Sequence, residues 1–288
     1  MKYLVVNADD FGLSEGVNRA IIKTHLHGSV SSTTLMVNQA GTRHAVNLSK
    51  TTPELALGLH ANLTLGTPVE RRHKIDSLVG SCGGFYCRSV FEKRLFLGLI
   101  RTDQLMTELR AQFNKFVELT GTKPSHIDSH QHIHTIPPVF RVLAEIATRN
   151  NIPLRMPWPR RNPLSLGLRR QLRSRVLGLL LSWNKYLSNK LPGTNTGFCS
   201  LFDLTKNPSD IDDELYSKLL SVYKTGFIEL MVHPAEVDDI HRENTQISEF
   251  SAREYEWLCS GALRDLLEKQ GFKLTSYAEF SKLDVWPD

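Results

Sequence analysis

Cysteine is scarce in this chain. Its four copies, Cys82, Cys87, Cys199 and Cys259, form neither a CxxC pair nor an evenly spaced framework, which argues against a disulfide-stapled scaffold and for a reducing compartment. Long apolar runs are missing too: no stretch approaches the roughly 18 residues that a bilayer span requires. The opening apolar run, "YLVV" at residues 3–6, is too short for a secretory h-region and leads directly into acids. A cytoplasmic protein is therefore expected. Disorder and fibrous repeats find no support either, because 41% hydrophobic and 23% charged residues over 288 positions are the proportions of a folded globular chain. The last absence is local. Between Ile146 and Phe202 there are ten Lys or Arg and no Asp or Glu, whereas from Asp203 onward acids outnumber bases 18 to 9.

What is present is a repeating alternation of strand-like and helix-like segments. "YLVVNA" leads into a helix expected from the N-cap Ser14 to the stop at Gly28. "STTLMVN" (32–38) and "LALGLHANLT" (55–64) follow. Leu105, Leu109, Phe113 and Phe116 then stripe one helix that ends at Gly121. "SHIDSHQH", "PLRMPW", "TGFCSLF" and "GFIELMVHP" are four more strand candidates, and a last helix is expected from Ser251 to Gln270, before "FKLTSY". Such units predict a parallel α/β sheet covered by helices. Without an obvious linker, residues 1–288 are read as one domain, a distorted (β/α) barrel of seven or eight parallel strands. A doubly wound open sheet is the alternative.

Four of these strands end in acids or histidines: Asp9 and Asp10, His60, the "IDSHQHIH" run, and His233. Barrel enzymes place their chemistry at the C-terminal ends of their strands. Strand alternation puts His60 on the face of the small residues Ala56 and Gly58, and puts Asp128, His130, His132 and His134 on one side if that strand extends so far. A lone histidine at a strand end is more often structural than functional, and an acid pair can simply favour the helix that follows. Several such coincidences at one end of one sheet point instead to a metal or acid–base site. Two adjacent carboxylates repel unless one is protonated or a cation compensates them. Histidines from neighbouring strands would complete a two-histidine, one-carboxylate set with open positions for water and substrate. The second aspartate is then left where a general base for hydrolysis belongs.

The segments "NADDFGLS", "SSTTLMVN", "LGLHANLT", "SHIDSHQHIH", "LRMP" and "MVHPAE" together resemble the YdjC-like carbohydrate deacetylases. That family includes chitooligosaccharide deacetylases and a branch associated with hopanoid biosynthesis, and the resemblance runs nearly end to end. It implies a barrel of the deacetylase type and the removal of an N-acetyl group from an amino sugar with one divalent metal, Mg or Zn. It implies Asp10, His60 and His130 as metal ligands, Asp9 as base and His233 as acid. Arg155 is read as orienting Asp9 by a charge-assisted bond. Phe11, His132, His134 and Trp158 are read as substrate-binding.

The acid-free segment forms a long basic crossover at about 159–195. Leu168, Leu172, Val176, Leu179, Leu180, Trp183 and Leu187 recur there at helical spacing, with Arg169, Arg170, Arg173 and Arg175 clustered near the start. One reading is an ordinary barrel helix with a solvated arginine face. The other is an interfacial helix that makes peripheral contact with the inner membrane face through 164–191, which would suit a lipid-linked amino sugar such as a hopanoid. No nucleic-acid motif accompanies the charge, and a homodimer is a further expectation. Two rival functions remain at this stage: an iron oxygenase built on the same two-histidine, one-carboxylate set, and a non-catalytic carbohydrate-binding protein.

Overall fold

The computed structural model describes residues 1–159, 168–187 and 193–280. In chain order the elements are β1 (Lys2–Phe11), α1 (Glu15–Leu26), β2 (Ser32–Leu35), α2 (Thr42–Ser49), β3 (Ala56–Ala61), α3 (Arg88–Phe96), α4 (Thr102–Thr120), β4 (Ile127–Ser129), α5 (Pro137–Asn150), α6 (Leu168–Leu187), β5 (Gly197–Ser200), α7 (Asp213–Leu220), β6 (Gly226–Val232), α8 (Asp239–Asn244), α9 (Ser248–Cys259), α10 (Ala262–Gln270), β7 (Lys273–Thr275) and α11 (Tyr277–Phe280). All strand pairings are parallel, as the alternation of element types required.

Local signals act as the sequence implies. Ser14 Oγ accepts the Val17 N–H at 3.2 Å and starts α1. α4 buries Leu105, Leu109, Phe113 and Phe116 and ends at Gly121, whose φ of 74° only glycine adopts without strain. The expected last helix is instead two, because Gly261 at φ 87° separates α9 from α10.

The sheet runs β4-β3-β2-β1-β6-β5, and β7 pairs off this line with the start of β1. β1 is the hub. Its residues Tyr3–Val5 pair with β7, and Asn7–Phe11 continue beside β2. The expected continuous ladder of seven or eight strands does not form among the described residues: six strands stand in line and the sheet curls without closing a hydrogen-bonded ring. The physical reason lies in "IPLRMP". Pro153 and Pro157 have no N–H to give, so this stretch contributes a single bridge, Ile127 to Leu154, instead of a strand. It spans the opening all the same. Arg155 N donates to Ile127 O at 2.9 Å on the β4 side, and on the β5 side the Asn195 side chain bonds both Met156 N (2.7 Å) and Met156 O (2.8 Å). Arg155 is thereby fixed between the two edges of the curled sheet.

Candidate active site

The two aspartates sit where β1 ends. A regular strand would turn neighbouring residues to opposite faces. Here the register with β2 shifts between Ala8 and Phe11, and Asp10 takes the left-handed conformation at φ 66°. This bulge lets both carboxylates line one cleft. Gly12, at φ 96°, completes the turn; a Cβ there would stand 2.7 Å from Met36 O.

Asp10 faces two imidazoles. Its Oδ1 lies 2.9 Å from His130 Nδ1 and 3.2 Å from His60 Nε2. Burial would raise the Asp10 carboxyl, but the two histidines outweigh it and hold it well below the usual carboxylate range. His60, buried, is turned by its other nitrogen, which lies 2.7 Å from Asp128 Oδ1. Burial opposes its protonation, yet Asp128 and Asp10 together raise its pKa to about 10. One ligand atom each from Asp10, His60 and His130 lie within 4.8 Å of one another. Two imidazole nitrogens aimed at one carboxylate oxygen, with a carboxylate behind one of them, fit a divalent cation of the zinc type better than magnesium, which prefers oxygen.

Asp9 is neutralised differently. Arg155 donates to both of its oxygens, at 2.7 and 2.6 Å, and Asn7 Nδ2 adds a third bond at 2.9 Å. The same guanidinium lies 2.6 Å from Asp128 and bonds Glu229 Oε1 through Nε at 2.7 Å. All five residues are buried. Burial pushes Asp9 up, and the charge and hydrogen bonds of Arg155 overcome this to hold the carboxyl far below its ordinary value. For Glu229 burial prevails over Arg155, and its pKa rises to about 7, with Tyr277 donating to its second oxygen at 2.5 Å. A second grouping of Asp9, His60 and Asp128 also has the spacing of a cation site, but Arg155 already occupies that charge.

His233 follows the last residue of β6 and lines the same cleft, which measures about 790 Å³. Its backbone N–H donates to Glu254 at 2.5 Å, while its ring Nδ1 has no hydrogen-bond partner among the described residues. Burial lowers its pKa, partly offset by Asp9 and Asp10. Glu254, which also accepts from Tyr216 at 2.6 Å, is raised by burial to about 7.

Of the sequence-predicted residues, Asp9, Asp10, His60, His130, His132 and His233 therefore converge on one cleft, with Arg155 beneath it. The others do not reach it. Phe11 belongs to the buried core. Trp158 donates its indole N–H to Asn195 O at 2.9 Å and lines a separate cleft of about 300 Å³. His134 is buried against Ser129 Oγ at 2.6 Å. The expected strand parity fails at the histidine run because β4 stops at Ser129. His130–Thr135 is a tight turn in which Gln131 and His132 are both left-handed, so His130 and His134 no longer share a face. Sequence reasoning missed Glu229, Asp128 as a partner of His60, and Phe202 in the cleft wall. Glu229 did leave a signal, an acid inside the apolar strand "GFIELMV".

Known proteins match this chain over nearly all of its length. The YdjC-like protein family profile matches residues 3–269. Chitooligosaccharide deacetylase of Proteus mirabilis is 33% identical over 281 residues, 96% of this chain and 98% of that protein. Its counterpart from Yersinia enterocolitica is 32% identical, over 96% and 99%. A crystal structure from Enterococcus faecalis V583, provisionally described as a cellobiose-phosphate cleavage protein, superposes with a TM-score of 0.80 at 28% identity, covering 97% of this chain and 98% of that one. The chain is thus a member of the YdjC-like family.

Proposed function

We propose that this protein removes the N-acetyl group from an N-acetylated amino sugar by hydrolysis, with one divalent cation held by Asp10, His60 and His130. The observation that carries this reading is the cleft floor itself: an imidazole–carboxylate triad, an ionised Asp9 locked by Arg155, and an unpartnered His233 nitrogen, all around one cavity. When bound, the cation supplies Lewis acidity to the acetyl carbonyl and makes a nearby water easier to deprotonate. Asp9 takes the proton of the attacking water. Arg155 and Asn7 hold its orientation and keep its oxygens unprotonated at neutral pH. His233, once protonated, gives a proton to the sugar nitrogen as the amide bond breaks, and the proton that Asp9 took from the water restores the balance. Its pKa is low in the resting site, and negative charge developing on the substrate raises it at the moment of transfer. His132 and Phe202 form walls against which the sugar packs.

The names of the relatives support a chitooligosaccharide as substrate. The narrower expectation, a GlcNAc-bearing glycolipid such as a hopanoid, draws its support from the basic crossover. Acetate release from diacetylchitobiose and from a GlcNAc-bearing lipid, measured with cation-loaded protein, tests both. Acetate from either substrate, without oxygen consumption, is the expected result. Binding of the sugar with no acetate formed would mean a carbohydrate-binding protein, and oxygen consumption would mean an oxygenase.

A further inference from the structure

α6 is held to the body by one side only. Leu181 and Asn184 are buried, Leu177 packs against the core, and Asn184 Nδ2 donates to Thr135 O at 3.0 Å. The opposite side carries Leu172, Val176, Leu179, Trp183 and Tyr186, all exposed; Leu179 is 72% and Trp183 58% accessible. Their spacing makes one continuous stripe, which in a globular helix would normally be turned toward the core. Charge around it has one sign. Residues 146–202 hold ten Lys or Arg and no acid along the chain; Arg155 among them is buried in the cleft floor, while Arg175 and Lys185 of α6 are exposed. A second exposed apolar group, Val90, Phe96, Leu97 and Leu99, lies on and just after α3, with Phe96 91% accessible; Lys93, Arg94 and Arg101 are nearby in the chain, as are the acids Glu92 and Asp103. Each helix is tied to the cleft at one point. Arg88 of α3 lines it, and α6 packs on the His130–Thr135 turn, whose His130 and His132 line it as well.

We propose that α6, together with the end of α3, docks the protein on an anionic lipid bilayer beside the mouth of the cleft. A basic helix with an exposed Leu/Trp stripe matches both components of a membrane surface, the anionic headgroups and the apolar layer just below them. A second copy of the chain matches less well, because a two-fold contact sets the same face against itself and would bring like charges together. Nucleic acid would leave the apolar stripe uncovered. No helix among the described residues is long and apolar enough to cross a membrane, so the contact is peripheral. The proposal does not depend on the reaction assigned to the cleft.

The test is flotation of the full chain with phosphatidylcholine vesicles, with and without phosphatidylglycerol, at low and high salt. Wild type is expected to float with the anionic vesicles, less at high salt and least with phosphatidylcholine alone. Leu179→Glu/Trp183→Glu, two exposed positions, is expected to weaken binding at least about tenfold while its thermal unfolding stays that of wild type. Failure of wild type to bind, or equal binding by the double variant, overturns the proposal. So does a wild-type dimer in light scattering that the double variant converts to monomer, which would make the stripe a self-association surface.

Discussion

The cleft floor has two halves that neutralise buried carboxylates by different means. On one side Asp9, Asp128 and Glu229 surround Arg155; on the other Asp10 is faced by His60 and His130. A guanidinium keeps its proton at any pH where the protein is folded, so the first half carries a fixed charge. Imidazoles exchange protons for metal ions near neutrality, so the second half is exchangeable. His60 joins them, with one nitrogen toward Asp128 and the other toward Asp10. Two aspartates adjacent in sequence thus acquire different chemistry from what stands opposite them.

The largest effect is expected from breaking the fixed half. Arg155→Met leaves Asp9, Asp128 and Glu229 buried without a cation and is predicted to cost about 3–5 kcal/mol in urea unfolding, with loss of acetate release. Asp9→Asn keeps the size of the side chain but removes the proton acceptor and sets an NH2 against a donor of Arg155. It is predicted to lower the rate of acetate release about 10²–10⁴-fold while cation binding survives. In the exchangeable half His130→Ala still leaves His60 facing Asp10, so its cost in urea is smaller, about 1–3 kcal/mol, and the thermal stabilisation of wild type by added divalent cation disappears. Equal costs for Arg155→Met and His130→Ala would break the comparison.

A pH series sharpens it. Burial raises Glu229 and Glu254 from 4.5 to about 7, so between those values the folded state holds protons that the unfolded chain has released. Their contribution to stability is full below about 4.5 and declines as pH rises to about 7, and Glu254→Gln should flatten that decline. His60, raised from 6.5 to about 10, contributes in full below 6.5 and loses its contribution as pH climbs to about 10 in the cation-free protein. Asp10, depressed in the folded state, contributes above its unfolded value and loses it as pH falls. The smallest effect belongs to an ion-pair group near the surface. Glu236→Ala removes bonds to Arg19 and Lys23 and is expected to cost about 1 kcal/mol or less in the same urea assay.

The exchangeable half was legible as polar residues gathered at strand ends in a parallel α/β fold; which of them meet came from the family resemblance, since alternation fails at His130. The fixed half was legible only at Asp9 and Arg155. Glu229 comes from the middle of β6, and nothing in "GFIELMV" says that its partner lies 74 residues upstream. The histidine run misled for a local reason: two consecutive left-handed residues end the strand that parity would have extended. One strand candidate failed, "PLRMPW", where prolines remove ladder donors yet the chain still occupies the gap. The stripe on α6 was visible as periodicity, but only packing shows that Leu181 and Asn184 face the body and that Leu179 and Trp183 face outward.

Calorimetric titration of the cation-free protein with zinc tests the division of the floor most directly. One zinc ion per chain is expected, bound with release of protons, retained in Asp9→Asn and lost in Asp10→Asn. Absence of binding in wild type, or undiminished binding in Asp10→Asn, would contradict it.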